Sequence, residues 1–100
     1  MNTKPIYVFA RWQAKAGQIE TVLSLLTDVA QKSREEEGNL FYKIHQSTSD
    51  ANIILLAEGY TSETAVSDHR NTKHFQDIVL GKIVPLLENR EVTLTTLLSE

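Results

Sequence analysis

The chain reads as an α+β fold built on one four-stranded antiparallel sheet. Short apolar runs rich in β-branched and aromatic residues alternate with stretches of helical periodicity, in the order strand, helix, strand, strand, helix, strand, and polar or glycine-containing breaks separate them. With 100 residues, 41% hydrophobic and 23% charged, the chain has the size and composition of one domain spanning 1–100, large enough to bury a core without staples.

Each element has its own signal. From Pro5 to Gln13, Ile6, Val8, Ala10 and Trp12 fall on one parity and Tyr7, Phe9 and Arg11 on the other, which predicts a strand that is apolar on both sides. Gly17 breaks that pattern. Ile19, Val22, Leu23, Leu26, Val29 and Ala30 then recur at three- and four-residue steps, the stripe of a long amphipathic helix expected to stop at Gly38 in the left-handed position past its end. Leu40–Gln46 and Ile53–Tyr60, joined by a polar loop, predict an antiparallel hairpin. Thr61 or Ser62 caps a short helix through Ala65, Val66 and His69. A second short helix restarts at Asn71 or Thr72 and carries Phe75, Ile78, Val79 and Ile83 to Pro85. Val92, Leu94 and Leu97-Leu98 make the closing strand. This is the ferredoxin-like βαββαβ order, in which both helices cover one sheet face.

The other face is apolar whichever parity is inward, since β-strand residues either Tyr7 and Phe9 or Ile6, Val8, Ala10 and Trp12 must point to it. Soluble monomers rarely expose such a patch, so a face-to-face homodimer is expected. A net charge of −3 without a basic cluster gives no nucleic-acid surface, and nothing in the chain is apolar for long enough to span a membrane. The absence of cysteine removes disulfides, thiolate metal sites and a Cys nucleophile, and suits a cytoplasmic protein. The four glycines are too scattered for a phosphate-binding loop or dinucleotide fingerprint, so no nucleotide cofactor is indicated.

The chemistry-bearing candidates are few. His69 and His74 lie five residues apart, a rotation of roughly 140° on one continuous helix, so no metal is expected there unless a break at Asn71 realigns them. Glu58 interrupts an apolar strand. It is either paired with Arg11 or a neighbouring strand or loop, or buried with a raised pKa as a proton-transfer group. His45 reads as a surface or interface residue on its strand.

Glu36-Glu37-Gly38-Asn39-Leu40-Phe41-Tyr42, then Leu56-Ala57-Glu58-Gly59-Tyr60, Ser62-Glu63-Thr64-Ala65 and His69 to His74-Phe75, occur in an order that resembles the antibiotic biosynthesis monooxygenase family over nearly the whole chain. The resemblance implies a dimeric ferredoxin-like α/β barrel with a pocket between sheet and helices. It also implies a cofactor-independent monooxygenase of the quinol-oxidising type, acting on a small aromatic substrate with O₂. On that reading His69 or His74 accepts a proton, Asn39 anchors the substrate, and Trp12, Tyr42, Glu58, Tyr60 and Phe75 surround it. Asn39 has a second reading, as a residue that satisfies backbone groups at the helix exit. The haem-degrading branch of the family carries Asn near the position of Ala10, and this departure argues against haem. A dimeric domain that binds or isomerises a small metabolite, or that merely dimerises, is the competing class.

Overall fold

The computed structural model describes residues 4–100. Its strands are β1 (Ile6–Ala14), β2 (Asn39–Gln46), β3 (Ile53–Tyr60) and β4 (Leu87–Thr95), in the sheet order β2-β3-β1-β4 with every neighbouring pair antiparallel. Helices α1 (Ile19–Arg34) and α2 (Glu63–Arg70) and a π-helical segment, Phe75–Ile83, supply the second layer. A short 3-10 turn, Val84–Leu86, leads into β4. This is the ferredoxin-like architecture the sequence predicts.

Central β1 decides which parity is inward. Ile6, Val8, Ala10, Trp12 and Ala14 are buried under the helices, and the register sets Val8 opposite Glu58, Ala10 opposite Leu56 and Trp12 opposite Ile54. Val22, Leu26, Val29 and Ala30 of α1 pack on this surface with Val79 and Ile83 of the π-helix. Each large aliphatic residue buried there contributes roughly 1.5–3 kcal/mol. Tyr7, Phe9, Ile53 and Leu55 take the other face. There Phe9 is 53% and Leu55 45% exposed, and the Tyr7 and Phe41 rings stack at 5.9 Å.

Three local expectations are corrected. Helix α1 ends at Arg34, not at Gly38, and among the described residues only Gly17 has a positive φ, of 80°. Gly38 is small for a different reason: a Cβ there would lie 2.5 Å from the Ala65 Cβ, so its lack of a side chain lets α2 approach the turn. The closing strand starts early, at Leu87, and stops at Thr95 opposite Tyr7, leaving Leu97-Leu98 outside it. Pairing cannot extend much further, because β1 begins at Ile6 and Pro5 has no N–H to donate. The second short helix is π-type rather than α, a wider turn that is uncommon and often marks a functional site.

The Gly38–Ala65 approach makes a direct test. Gly38→Ala should lower stability by about 1–3 kcal/mol in urea unfolding. In an Ala65→Gly background the same change should cost about 1 kcal/mol less, because the opposing methyl is gone. Equal costs in both backgrounds would show that the approach does not constrain Gly38.

Candidate active site

Two local features bring the polar residues together. Ser62, extended at φ −167°, caps α2 by accepting from the Ala65 N–H at 3.2 Å, and from that start Ala65, Val66 and His69 fall on the buried stripe. At the far end Asn71 closes the helix and Thr72 serves both sides of the break. Its hydroxyl donates to the His69 carbonyl at 2.7 Å and accepts from the Phe75 N–H at 3.2 Å. The chain therefore does not continue the α2 spiral, and the 140° divergence of His69 and His74 does not arise. Their ring centroids lie 6.0 Å apart.

Both rings meet one carboxylate. Glu36, in the turn between α1 and β2, receives His69 Nδ1 at 3.0 and 2.8 Å on its two oxygens and His74 Nε2 at 2.6 Å on Oε2. A carboxylate only accepts, so each of these nitrogens carries its hydrogen. His69 is thereby held as the Nδ1–H tautomer, with Nε2 free and 3.7 Å from Glu58 Oε1. Glu58 in turn accepts from the Tyr60 hydroxyl at 2.6 Å. Phe75 meets the His69 ring edge-on at 5.2 Å, and Tyr60 lies against it at 5.0 Å.

These groups border a cavity of about 30 Å³ between sheet and helices, walled by Trp12, Tyr42, Glu58, Tyr60, His69 and Phe75, with Arg70 and Arg90 at its rim. A volume of that size holds about one water. The Trp12 indole N–H is buried on this wall without a hydrogen-bond partner. Burial pushes the Glu58 carboxyl up to about 7, against the opposing pull of the Tyr60 hydrogen bond. Burial, followed by the Glu58 charge, raises the Tyr42 and Tyr60 phenols well above their ordinary range. For His69 burial lowers the pKa and the Glu36 hydrogen bond opposes it. The net direction is down, which keeps the ring neutral near pH 7.

Of the predicted site residues, Trp12, Tyr42, Glu58, Tyr60, His69 and Phe75 come together around the cavity, while His74 does not line it and meets Glu36 instead. Asn39 does not join them. Its Nδ2 donates to the Phe41 carbonyl at 3.1 Å, where β2 bulges between Asn39 and Phe41. Arg11 is not Glu58's partner either, because it lies on the opposite sheet face. Glu36 is the residue to which sequence reasoning gives no site role: it opens the Glu36–Tyr42 stretch of the resemblance, but its contacts to two histidines 33 and 38 residues away cannot be read from it.

A ferredoxin-like fold with an aromatic-walled cavity under its helices, lined by ionisable side chains, places the chain among small α+β proteins. The chain belongs to the antibiotic biosynthesis monooxygenase family, whose model matches residues 5–79. It is 33% identical over 67 residues to the protein called "Putative monooxygenase YcnE" in Bacillus subtilis (strain 168), a match covering 67% of this chain and 70% of that one. Rv0793 from Mycobacterium tuberculosis superimposes with a TM-score of 0.89 at 26% identity, covering 96% of this chain and 97% of that one. PA3566 from Pseudomonas aeruginosa gives 0.88 at 28% identity, with 97% of each chain covered.

The raised Glu58 pKa predicts an inverse pH dependence of stability. The folded state holds this proton more tightly than the unfolded state, so the group's contribution is fully present below pH 4.5 and is lost as pH rises through about 7. Glu58→Gln keeps an acceptor for Tyr60 and cannot ionise. In chelator-treated protein it should match the wild type at pH 4 and exceed it at pH 8, by on the order of 3 kcal/mol at most. A difference that is the same at both pH values would contradict burial of an ionisable Glu58.

Proposed function

We propose that this protein is a cytoplasmic, homodimeric monooxygenase that oxidises a small phenolic or quinol-type ring with O₂ and without a bound cofactor. The observation that carries the reading is the Glu36–His69 pair, which presents a neutral imidazole nitrogen to an aromatic-walled cavity beside Glu58. Family membership supports oxygen chemistry, and the lack of a nucleotide-binding motif suits direct reaction with O₂.

His69 Nε2 accepts the phenolic proton, and Glu36 stabilises the imidazolium that forms. The electron-rich phenolate passes one electron to O₂, and the radical pair recombines to a hydroperoxide on a ring carbon that bears hydrogen. Loss of water from that carbon leaves a carbonyl. One oxygen atom ends in the quinone and the other in water, and the four electrons that reduce O₂ all come from the ring. The protein's part is to bind, orient and stabilise the anion. The Trp12 N–H is a donor free to meet a ring oxygen. Because the cavity is small, an aromatic ring enters only when its walls move apart.

A second reading has its own support. Two proton-transfer groups 3.7 Å apart, His69 and Glu58, could move a proton between adjacent carbons of a metabolite, as an isomerase requires. Oxygen separates the two. Incubation with a panel of hydroquinols should show O₂ uptake above the buffer blank, and His69→Ala should lower kcat by about 10²–10⁴-fold. O₂ uptake no faster than the blank for every quinol would overturn the oxygenase reading, and turnover under strict anaerobiosis would favour the isomerase.

The homodimer rests on the open face, where Phe9 and Leu55 are exposed beside the Tyr7–Phe41 stack. Light scattering after size exclusion should give a dimer for the wild type and monomer or insoluble protein for Phe9→Asp and Leu55→Asp. Soluble, active monomers from both would refute it. Among the described residues no helix is long and apolar enough to cross a membrane.

A further inference from the structure

We infer that Glu36, His69 and His74 form a binding site for a divalent transition-metal ion, and that occupation of this site turns the proton acceptor off. The second clause rests on the oxygenase reading above; the first does not.

The donor set comes from three separate elements: the turn after α1, the end of α2 and the start of the π-helix. One carboxylate oxygen and two ring nitrogens, one from each residue, lie within 4.8 Å of one another, the one such cluster among the described residues. Bonds of 2.0–2.2 Å from a tetrahedral ion place adjacent donors about 3.3 Å apart. The present Glu36 contacts, 2.8 Å to His69 Nδ1 and 2.6 Å to His74 Nε2, need open by less than about 1 Å to accept an ion. Two imidazoles and a carboxylate suit Zn²⁺, Co²⁺ or Ni²⁺ rather than Mg²⁺ or Ca²⁺, which prefer all-oxygen sites. Three protein ligands leave a fourth position open.

The surroundings fit ligation as well. A metal-bound histidine usually directs its other nitrogen at a carboxylate, and His69 Nε2 faces Glu58, which is itself held by Tyr60. The ligands are largely enclosed, with side-chain exposures of 14% for Glu36, 6% for His69 and 13% for His74. Enclosure and a prearranged carboxylate are what separate this cluster from exposed His45, whose Nδ1 is engaged at the Leu55 carbonyl.

Metal and proton acceptor compete for one ring. Ligation through Nδ1 requires its lone pair, so the ring proton must move to Nε2. The nitrogen facing the cavity then changes from acceptor to donor, aimed at Glu58. A bound ion thus inhibits turnover without entering the cavity.

Isothermal titration of chelator-treated full-length protein with Zn²⁺ should give one ion per chain with a micromolar or lower Kd, and Co²⁺ should develop visible d–d absorption. Glu36→Gln and His74→Ala should each weaken Zn²⁺ binding by 100-fold or more, Glu58→Gln by about 10-fold, and His45→Ala should not change it. Thermal melts report folding, and His74→Ala, at the outer side of the cluster, keeps the test available if a variant at His69 does not fold. No binding below 1 mM, or equal binding by wild type, Glu36→Gln and His74→Ala, would overturn the site. Ligand-dependent Zn²⁺ binding with no oxygenase activity leaves the site standing and removes only the oxygenase reading. Binding at the site with unchanged O₂ uptake would overturn the off-switch.

Discussion

One carboxylate organises the helix-covered end of this fold around the cavity. Glu36 is largely enclosed and faces two imidazoles, so two N–H donors offset its charge. A buried carboxylate stripped of such partners costs several kcal/mol, and buried imidazole donors stripped of their acceptor cost as well. The pairing therefore ties the turn after α1 to two helical segments 33 and 38 residues further along the chain, and the orientation of His69 follows from it. Gly38, two residues on, admits α2 close enough for the contact to form. Thr72 completes the arrangement by starting the next helix in a direction that brings His74 back to Glu36.

The fold was legible because it rests on periodicity, which one-dimensional patterns carry well. β1, α1 and the hairpin each repeat their apolar residues at the spacing their geometry needs, and their order admits few topologies. The site was only partly legible. Trp12, Tyr42, Tyr60, Glu58, His69 and Phe75 stand out as aromatic or ionisable residues on predictable elements. Glu36 does not, because its role comes from a contact across 33 and 38 residues of chain. The divergence of His69 from His74 was inferred from a continuous helix, and a break of two residues cancels it. Asn39, a residue type common in pockets, stands apart from the cavity and bonds the backbone at the β2 bulge.

The local costs of the structure collect in one place. An indole N–H without a partner, a carboxyl raised by burial, two phenols raised by burial and a π-helical segment all lie at or beside the cavity. Elsewhere the buried layer is almost entirely aliphatic, with Ser33 the other buried side chain that lacks a partner among the described residues. Native folds tolerate such departures where function requires them, and their clustering is a stronger pointer to a site than any single residue.

β1 also links the cavity to the open face through its alternation. Val8, Ala10 and Trp12 wall the cavity, while Tyr7 and Phe9, on the same nine residues, form the exposed apolar surface. A slip of one residue in pairing would exchange the two sets and place Phe9 where Ala10 now stands. The register with β3 resists this from both sides, since Glu58 must sit opposite Val8 to reach His69 and Leu56 opposite Ala10 to fill the core. A partner that covers Phe9 and Leu55 would add a third reason for the same register. One strand thus carries both the cavity wall and the open apolar face, and the register that holds one in place holds the other, although Tyr7 and Phe9 do not line the cavity.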